Sequence, residues 1–128
     1  MRSIAPRLAA SAAVLALAGG GASAAAGAAA HPQLLRVAAN PRGQLAFVQE
    51  KLVAKAGETT FVLTNTSRVP HDIAIERSGA RKPLGTSKIV ENGASARITV
   101  ALRKGAYIYY CTVPGHEKAG MKGVLTVT

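Results

Sequence analysis

The stretch AYIYYCTVPGHEKAGMKGVLTVT, residues 106–128, holds two alternating segments separated by a loop. In the first segment Tyr107, Tyr109 and Cys111 share one face of an extended chain, because side chains alternate between the two faces of a β-strand. The second segment begins at Gly123, and the residues between the two segments include proline and glycine, which favour turns. The stretch therefore predicts two β-strands joined by a long loop.

Similar runs precede this stretch. Apolar or alternating residues occupy 34–39, 59–65, 71–76 and 95–102, and turn-forming residues separate them. Short strands at this spacing are typical of an all-β sandwich or barrel. Residues 77–93 have no regular pattern, and we expect a long connection there. A chain of this length is expected to form a single domain.

The first 30 residues have the layout of a secretory signal peptide followed by an Ala/Gly-rich lead-in. Arg2 and Arg7 give a positively charged start, residues 8–19 are mostly apolar and uncharged, and small residues that offer A-x-A cleavage sites follow. The apolar run is shorter than the about 20 residues of a membrane span. We expect an exported protein, secreted or periplasmic, whose folded domain is residues 31–128 and which has no transmembrane segment after signal removal.

The charge balance is strongly basic. The 128 residues include 16 Lys plus Arg and 6 Asp plus Glu, and the formal net charge is +10. Nucleic acid is not expected as a partner, because the charges are scattered and no helix concentrates them on one face. A basic exported protein would instead be attracted to an acidic partner or an anionic envelope surface. We also expect the protein to be a monomer.

The single cysteine needs an explanation, because it cannot form an internal disulfide and a lone thiol in an exported protein is reactive. Cys111 is followed by His116 and then by Met121, each after four intervening residues. If the loop curls, a thiolate, an imidazole and a thioether can face one point. This soft donor set selects copper over magnesium or calcium, which prefer oxygen ligands. Zinc would accept Cys and His, but a thioether is a poor zinc ligand.

A blue-copper site requires a second imidazole, and the remaining histidines are His31 and His71. His31 lies at the expected start of the mature chain. His71 begins an alternating run that places it on one face with Ile73 and Ile75, and the residues between them on the other face. An inward histidine at a strand end can lie beside a neighbouring strand end. His71 is therefore the candidate for the fourth ligand.

At this point the chain resembles a known family. The motifs VPHDIAIE, residues 69–76, and GAYIYYCTVPGHEKAGMKG, residues 105–123, are similar to those of the plastocyanin/azurin class of cupredoxins. The resemblance covers most of the mature domain. It implies a Greek-key β-sandwich with one type 1 copper ion that cycles between Cu(I) and Cu(II). It also implies a carrier of single electrons between a redox protein donor and an acceptor, and not an enzyme.

The resemblance further implies roles for individual residues. It implies three strong equatorial copper ligands and one weak axial methionine: His71, Cys111, His116 and Met121. The ring edge of His116 would be the electron exit, and the uncharged surface around it would include Pro70 and Pro114.

Two positions bear on the surroundings of the copper site. Family members commonly carry Asn directly after the first ligand histidine, whereas this chain has Asp72. An ionised carboxylate accepts hydrogen bonds but cannot donate them, so we expect Asp72 to brace the region of Thr112. In the plastocyanin branch a tyrosine at the position of Tyr110 lies beside an acidic docking patch. This chain is basic, so we expect almost no acid near Tyr110 and a partner with an acidic docking surface.

Other interpretations of the copper motif have different consequences. The three histidines count against a multicopper oxidase, and the single cysteine counts against a dinuclear copper site. A copper storage or delivery protein would use the same ligands without an electron-transfer role. A structural sandwich that only retains a metal site is a further alternative.

One more motif lies between two predicted strands. Asn65, Thr66 and Ser67 fit the N-glycosylation acceptor pattern. The pattern is short and often coincidental, and it matters only in a host that glycosylates.

Overall fold

The computed structural model describes residues 31–128, and the predicted signal peptide and lead-in, residues 1–30, lie outside the described residues. Within 31–128 the chain forms β-strands and no α-helix. The strands are β1 (Gln33–Ala38), β2 (Lys51–Ala54), β3 (Gly57–Thr64), β4 (Ala74–Arg77), β5 (Gly85–Thr86), β6 (Ser95–Leu102), β7 (Gly105–Tyr110) and β8 (Lys122–Val127). In this described part of the chain no helix has the length and apolar character needed to cross a membrane.

The strands form two sheets. One sheet has the order β1-β3-β6 and the other the order β2-β8-β7-β4-β5. β1 is parallel to β3 and β2 is parallel to β8, whereas the other neighbouring pairs are antiparallel. The chain crosses repeatedly between the sheets, so neither sheet is complete before the other, as in Greek-key connections. The predicted all-β Greek-key sandwich is confirmed.

The core lies between the two sheets and consists of alternate residues of each strand. Along β6, Ala96, Val100 and Leu102 are buried, and along β7, Tyr107 and Tyr109 are buried. The residues between them are half-buried or exposed. This alternation is what a strand with one face against a core requires. The close-packed interior gives the strand ends a stiff support.

Residues 77–93 are more regular than their sequence predicts. They include β5, which pairs with β4, and Val90 forms an antiparallel bridge with His71. The backbone N–H groups of Leu84 and Ser87 also donate to carbonyls between His71 and the end of β4. An unpaired edge of β4 would leave backbone polar groups without partners, and this connection supplies them. Pairing through the backbone leaves no alternating pattern in the side chains, so the sequence did not reveal it.

The segment 71–76 is buried on both faces rather than on one. His71 and the isoleucines on its face are buried, but Asp72 and Ala74 on the opposite face are also only 2% and 0% exposed. The start of the β7–β8 loop covers Asp72, because Thr112 hydrogen bonds to it. The sequence pattern of one strand could not show which loop lies over its outer face.

Candidate metal centre

The loop between β7 and β8 is curled by its own backbone hydrogen bonds. Cys111, directly after β7, donates its N–H to the carbonyl of Met121 at 3.1 Å, and Met121 donates to the carbonyl of His116 at 3.0 Å. Gly115 and Gly120 have φ angles of 84° and 113°, which residues with a side chain rarely adopt. These turns bring the start, middle and end of the loop together.

Three side chains converge at this end of the sandwich. The Nδ1 atoms of His71 and His116 are 3.2 Å apart. The Sγ atom of Cys111 is 3.8 Å from Nδ1 of His71 and 3.5 Å from Nδ1 of His116. Cys111, His71 and His116 are 0%, 1% and 8% exposed. The thiol of Cys111 and two imidazoles therefore share one small buried volume, although His71 lies 40 residues before Cys111 in the chain.

The spacing of these atoms fits a single transition-metal ion. Metal–nitrogen bonds of about 2.0–2.1 Å and metal–sulfur bonds of about 2.3 Å, the values for zinc, place donor atoms about 3.3–3.8 Å apart in tetrahedral or trigonal geometry. The observed separations are 3.2, 3.5 and 3.8 Å. Two imidazoles and one thiolate in this arrangement form the donor set of a blue-copper plane.

Met121 lies next to these donors along the curled backbone. It is fully buried, at 0% exposure, and belongs to the same apolar cluster as Cys111. Its backbone bonds to both Cys111 and His116 place it at the last turn of the loop. His31, in contrast, is exposed at the start of the described residues and does not belong to the converging group.

Burial shifts the pKa values of Cys111 and His71 in opposite directions. Burial raises the pKa of the Cys111 thiol, so the thiolate needs a nearby cation to form. Burial, and then the neighbouring His116, lower the pKa of His71 against the opposing effect of Asp72. A neutral imidazole is the form that binds a metal. A bound cation would stabilise the thiolate of Cys111, whereas a buried thiolate without a cation is unfavourable.

Asp72 connects the two segments that supply the donors. Thr112 donates its backbone N–H to Oδ1 of Asp72 at 2.6 Å, and its hydroxyl donates to Oδ2. The carboxylate thus lies directly after His71 and accepts both bonds from the residue directly after Cys111. Hydrogen bonds to an ionised acceptor are the stronger kind, so this contact holds the two segments in register.

Ser67, which the sequence placed only in the N-glycosylation pattern, lies beside the ring of His71. Its Oγ lies 2.7 Å from Nε2 of His71, and both residues are 1% exposed. A serine four residues before a histidine is too common a spacing to have indicated this contact.

Asn65 of the glycosylation pattern is fully buried, and its amide donates to the carbonyls of Val69 and Val90. The motif is therefore part of the turn that supports His71, and its asparagine is not accessible for glycosylation.

Uncharged residues lie next to the two histidines in the chain. His116 is 8% exposed and His71 is 1% exposed, so both are buried and His116 is the less completely buried of the two. Pro114 is exposed, Pro70 is half-buried, and Val69 is 37% exposed. His116 is thus the least buried of the three converging residues.

A basic cleft adjoins the segment that leads to His71. It has a volume of about 330 Å³ and is lined by Pro41, Arg42, Gly43, Arg68 and Val69. Both arginines are exposed. Positive charge therefore lies beside the uncharged residues that precede His71.

Tyr110 has an acidic neighbour, and the expectation of almost no acid near it is wrong. Its hydroxyl donates to Oε2 of Glu76 at 2.9 Å. Burial and this hydrogen bond raise the pKa of Tyr110 to about 12, with further contributions from Glu117 and Asp72. The pairing of β4 with β7 brings Glu76 beside the tyrosine, and the separate strand patterns did not show that pairing.

Fold and site together define a class, the small two-sheet copper proteins with a buried cysteine and two histidines at one end. The chain matches the family described as copper binding proteins, plastocyanin/azurin family, over residues 36–128. It belongs to this family. The predicted family and the predicted copper cofactor are both confirmed.

Relatives agree with this assignment. Auracyanin-B of Chloroflexus aurantiacus is 31% identical over 124 residues, covering 75% of this chain and 52% of that protein, so the chain spans about half its length. Plastocyanin of Daucus carota is 34% identical over 91 residues, covering 67% of this chain and 91% of that protein.

Solved structures show the same architecture. Auracyanin B superposes with a TM-score of 0.71 at 28% identity, covering 77% of this chain and 91% of that chain. Auracyanin A, a "blue" copper protein of Chloroflexus aurantiacus, has a TM-score of 0.68 at 23% identity, covering 77% of this chain and all of that chain, and supports the fold alone.

Proposed function

We propose that this protein carries single electrons by means of one copper ion bound to two imidazoles, one thiolate and a weak axial thioether. The ligands in this proposal are His71, Cys111, His116 and Met121. The observation that supports it is the convergence of two Nδ1 atoms and one Sγ atom at 3.2–3.8 Å in a buried volume. Copper supplies a one-electron couple between Cu(I) and Cu(II).

The contribution of the chain is to keep the donors in one arrangement in both oxidation states. Cys111 follows a core strand directly, and His71 is bridged to Val90 by two backbone hydrogen bonds. The bonds from Thr112 to Asp72 hold these two segments together. Because the donors are almost fully buried, solvent water is excluded and has little to rearrange when the charge of the site changes.

Electrons would enter and leave through His116. Its 8% exposure is the largest among the converging side chains. Pro114, two residues before it in the chain, and Pro70, directly before His71, would border it with uncharged surface, so that a partner could approach closely without displacing water from charged groups. We therefore assign the docking contact to this surface.

The partners would be redox proteins with acidic docking surfaces. Arg42 and Arg68 line the cleft beside the His71 segment, and the chain as a whole is basic. Charge complementarity of this kind raises the association rate and selects the partner. Nucleic acid is not proposed as a partner.

The cellular setting follows from the first 30 residues. Residues 1–30 would act as an export signal with a lead-in, so the domain 31–128 would work as a monomer in the periplasm or outside the cell. A carrier in that setting exchanges electrons and converts no substrate of its own.

The proposal is tested by adding Cu(II) to the purified apo-protein and recording the visible spectrum and the EPR signal. We expect an intense thiolate-to-copper absorption band that disappears on reduction and returns on reoxidation. A storage or delivery protein would bind Cu(I) without such a reversible band. A sample that stays colourless with stoichiometric Cu(II) would contradict the electron-carrier proposal.

The docking part is tested separately by stopped-flow electron transfer to an acidic redox protein at several ionic strengths. Arg42→Gln and Arg68→Gln should slow the second-order rate at low salt and flatten its salt dependence. Lys104→Gln is the matched control, because Lys104 precedes β7 and so lies at the opposite end of that strand from Cys111. Equal effects from all three substitutions would rule out a docking role for the cleft.

A further inference from the structure

We propose that Ser67 is a positioning residue of the metal centre, whose hydroxyl accepts the Nε2–H of His71 and thereby presents Nδ1 of that ring to the metal. The inference rests on the proposed ligand role of His71. It assigns the orientation of the His71 ring to a residue that lies outside the loop from Cys111 to Met121.

The hydrogen-bond inventory of the serine hydroxyl favours one direction for this bond. A hydroxyl has one hydrogen to donate and two lone pairs to accept with. The Oγ of Ser67 lies 3.1 Å from the carbonyl of Val69, 3.2 Å from the N–H of Val69 and 2.7 Å from Nε2 of His71. The carbonyl can only accept, so the contact at 3.1 Å is a hydrogen bond only if the hydroxyl hydrogen points to it. The two lone pairs then accept from Val69 and from Nε2–H, and all three bonds are satisfied.

This direction leaves the other ring nitrogen free to coordinate. With the hydrogen on Nε2, Nδ1 of His71 carries a lone pair. That atom is the one that lies 3.2 Å from Nδ1 of His116 and 3.8 Å from Sγ of Cys111. The tautomer that Ser67 selects is therefore the one that the metal centre needs.

Ser67 is itself held by a closed ring of hydrogen bonds. Its N–H donates to Oδ1 of Asn65 at 2.9 Å, and the amide of Asn65 donates to the carbonyl of Val90 at 2.8 Å. Val90 exchanges backbone bonds with His71 at 2.8 and 3.1 Å, and the ring of His71 returns to Ser67. The carbonyl of Ser67 also accepts from Asn92 at 2.6 Å. Every polar group of the serine is engaged, so its hydroxyl has a defined position.

The energetic consequence follows from burial. At 1% exposure, loss of the hydroxyl leaves Nε2–H without an acceptor in a place that solvent does not reach freely. Groups that orient a metal ligand in this way typically change metal affinity by about 10- to 100-fold when removed. Ser67 should therefore affect the metal although it does not touch it.

The test compares copper release from the copper-loaded protein to a chelator in three variants. Ser67→Ala should release copper at least about tenfold faster than the unmodified protein and should change the copper hyperfine splitting in EPR. Ser67→Thr keeps the hydroxyl and should restore both properties. Ser87→Ala is the control, because that hydroxyl bonds to the backbone of Ile73 and Lys88 and contacts none of the converging side chains.

The outcomes distinguish a failure of the positioning role of Ser67 from a failure of the proposed function. A blue site whose release rate and EPR spectrum are unchanged in Ser67→Ala, or changed equally in Ser87→Ala, would overturn the positioning role and leave the proposed function standing. Failure to form a blue site in the unmodified protein would instead be a failure of the proposed function.

A second measurement does not depend on the folding of any variant. In the unmodified apo-protein, nitrogen-15 NMR of the His71 ring should show a protonated Nε2 with slow hydrogen exchange and an unprotonated Nδ1. A ring found mainly with the hydrogen on Nδ1 would overturn the inference.

Discussion

The two segments that supply the metal-binding side chains are built in different ways. The loop that runs from Cys111 to Met121 contributes three candidate ligands within a short length of chain, and its shape comes from local turns. The segment that carries His71 contributes one candidate ligand, and its position depends on bonds to Ser67 and to Val90. The loop is a compact set of donors. The segment that carries His71, with its bonds to Ser67 and Val90, supports that set from the other side and is called the frame below.

This difference separates two kinds of mutational effect. Changes in the loop alter the donors themselves, so they should appear first in the colour and potential of the copper site. Changes in the frame, and packing changes in the strand that follows the loop, alter orientation and support, so they should appear in metal retention and in folding stability. The following experiments test this division, beginning with the largest effect.

Cys111→Ser should abolish the intense visible band of the copper-loaded protein. Oxygen in place of sulfur removes the thiolate donor that gives rise to the band. Absorption spectroscopy after addition of stoichiometric Cu(II) is the measurement. His31→Ala is the control and should keep the full band, because His31 is exposed and outside the converging group. A band of undiminished intensity in the serine variant would show that Cys111 is not a copper ligand.

Gly123→Ala should destabilise the protein by about 3 kcal/mol, because a Cβ there would overlap the buried phenol ring of Tyr109. Gly85→Ala, beside the frame, should cost less, about 1 kcal/mol, since the added Cβ mainly meets the side-chain end of half-buried Ile98, which can move, and approaches Val100 at 3.2 Å. Chemical denaturation of both apo-variants measures the difference. Equal losses would mean that the exit of the loop is no more tightly packed than the edge of the frame.

Asp72→Asn should weaken the connection between loop and frame. The amide can accept one bond from Thr112, but it loses the charge that strengthens both, at a cost of about 1–2 kcal/mol. Loss of a negative charge beside the ligands should also raise the reduction potential, since Cu(II) carries the larger positive charge. Denaturation of the apo-protein and voltammetry of the loaded protein give the two readouts. Glu58→Gln, an exposed change on β3, is the control, and an unchanged potential and spectrum in Asp72→Asn would contradict the bracing role.

Met121→Leu should have the smallest effect on colour. The two side chains have similar volume, so the loss of stability should stay below about 1.5 kcal/mol. The strong band should largely persist, because it belongs to the thiolate, while the reduction potential should rise as the axial sulfur is lost. Spectroscopy and voltammetry on one sample measure both. Complete loss of colour would show that the methionine is more than a weak axial donor.

Much of the fold was predictable because strand alternation is a local property. The inward residues of β6 and β7 follow directly from their spacing, as do the turns of the loop between Cys111 and Gly123. The pairing of residues 77–93 with β4 was not predictable, because it uses backbone groups that every sequence has. The contact of Glu76 with Tyr110 was missed for a related reason: it depends on which strand lies next to β7.

What the sequence by itself determined is the donor set, since Cys111, His116 and Met121 are close in the chain and their softness is a property of their own atoms. The sequence offered His71 as a candidate ligand and Asp72 as a brace for Thr112. Only the tertiary structure decided that these residues meet the loop and that Ser67 contacts the ring of His71. Each of these contacts joins a side chain to a partner whose place is set by packing and turn geometry, and the two that join the ligand segments span 40 residues of chain. The spacing of residues within one segment does not show which distant segment will lie beside it, because the packing of the two sheets sets that.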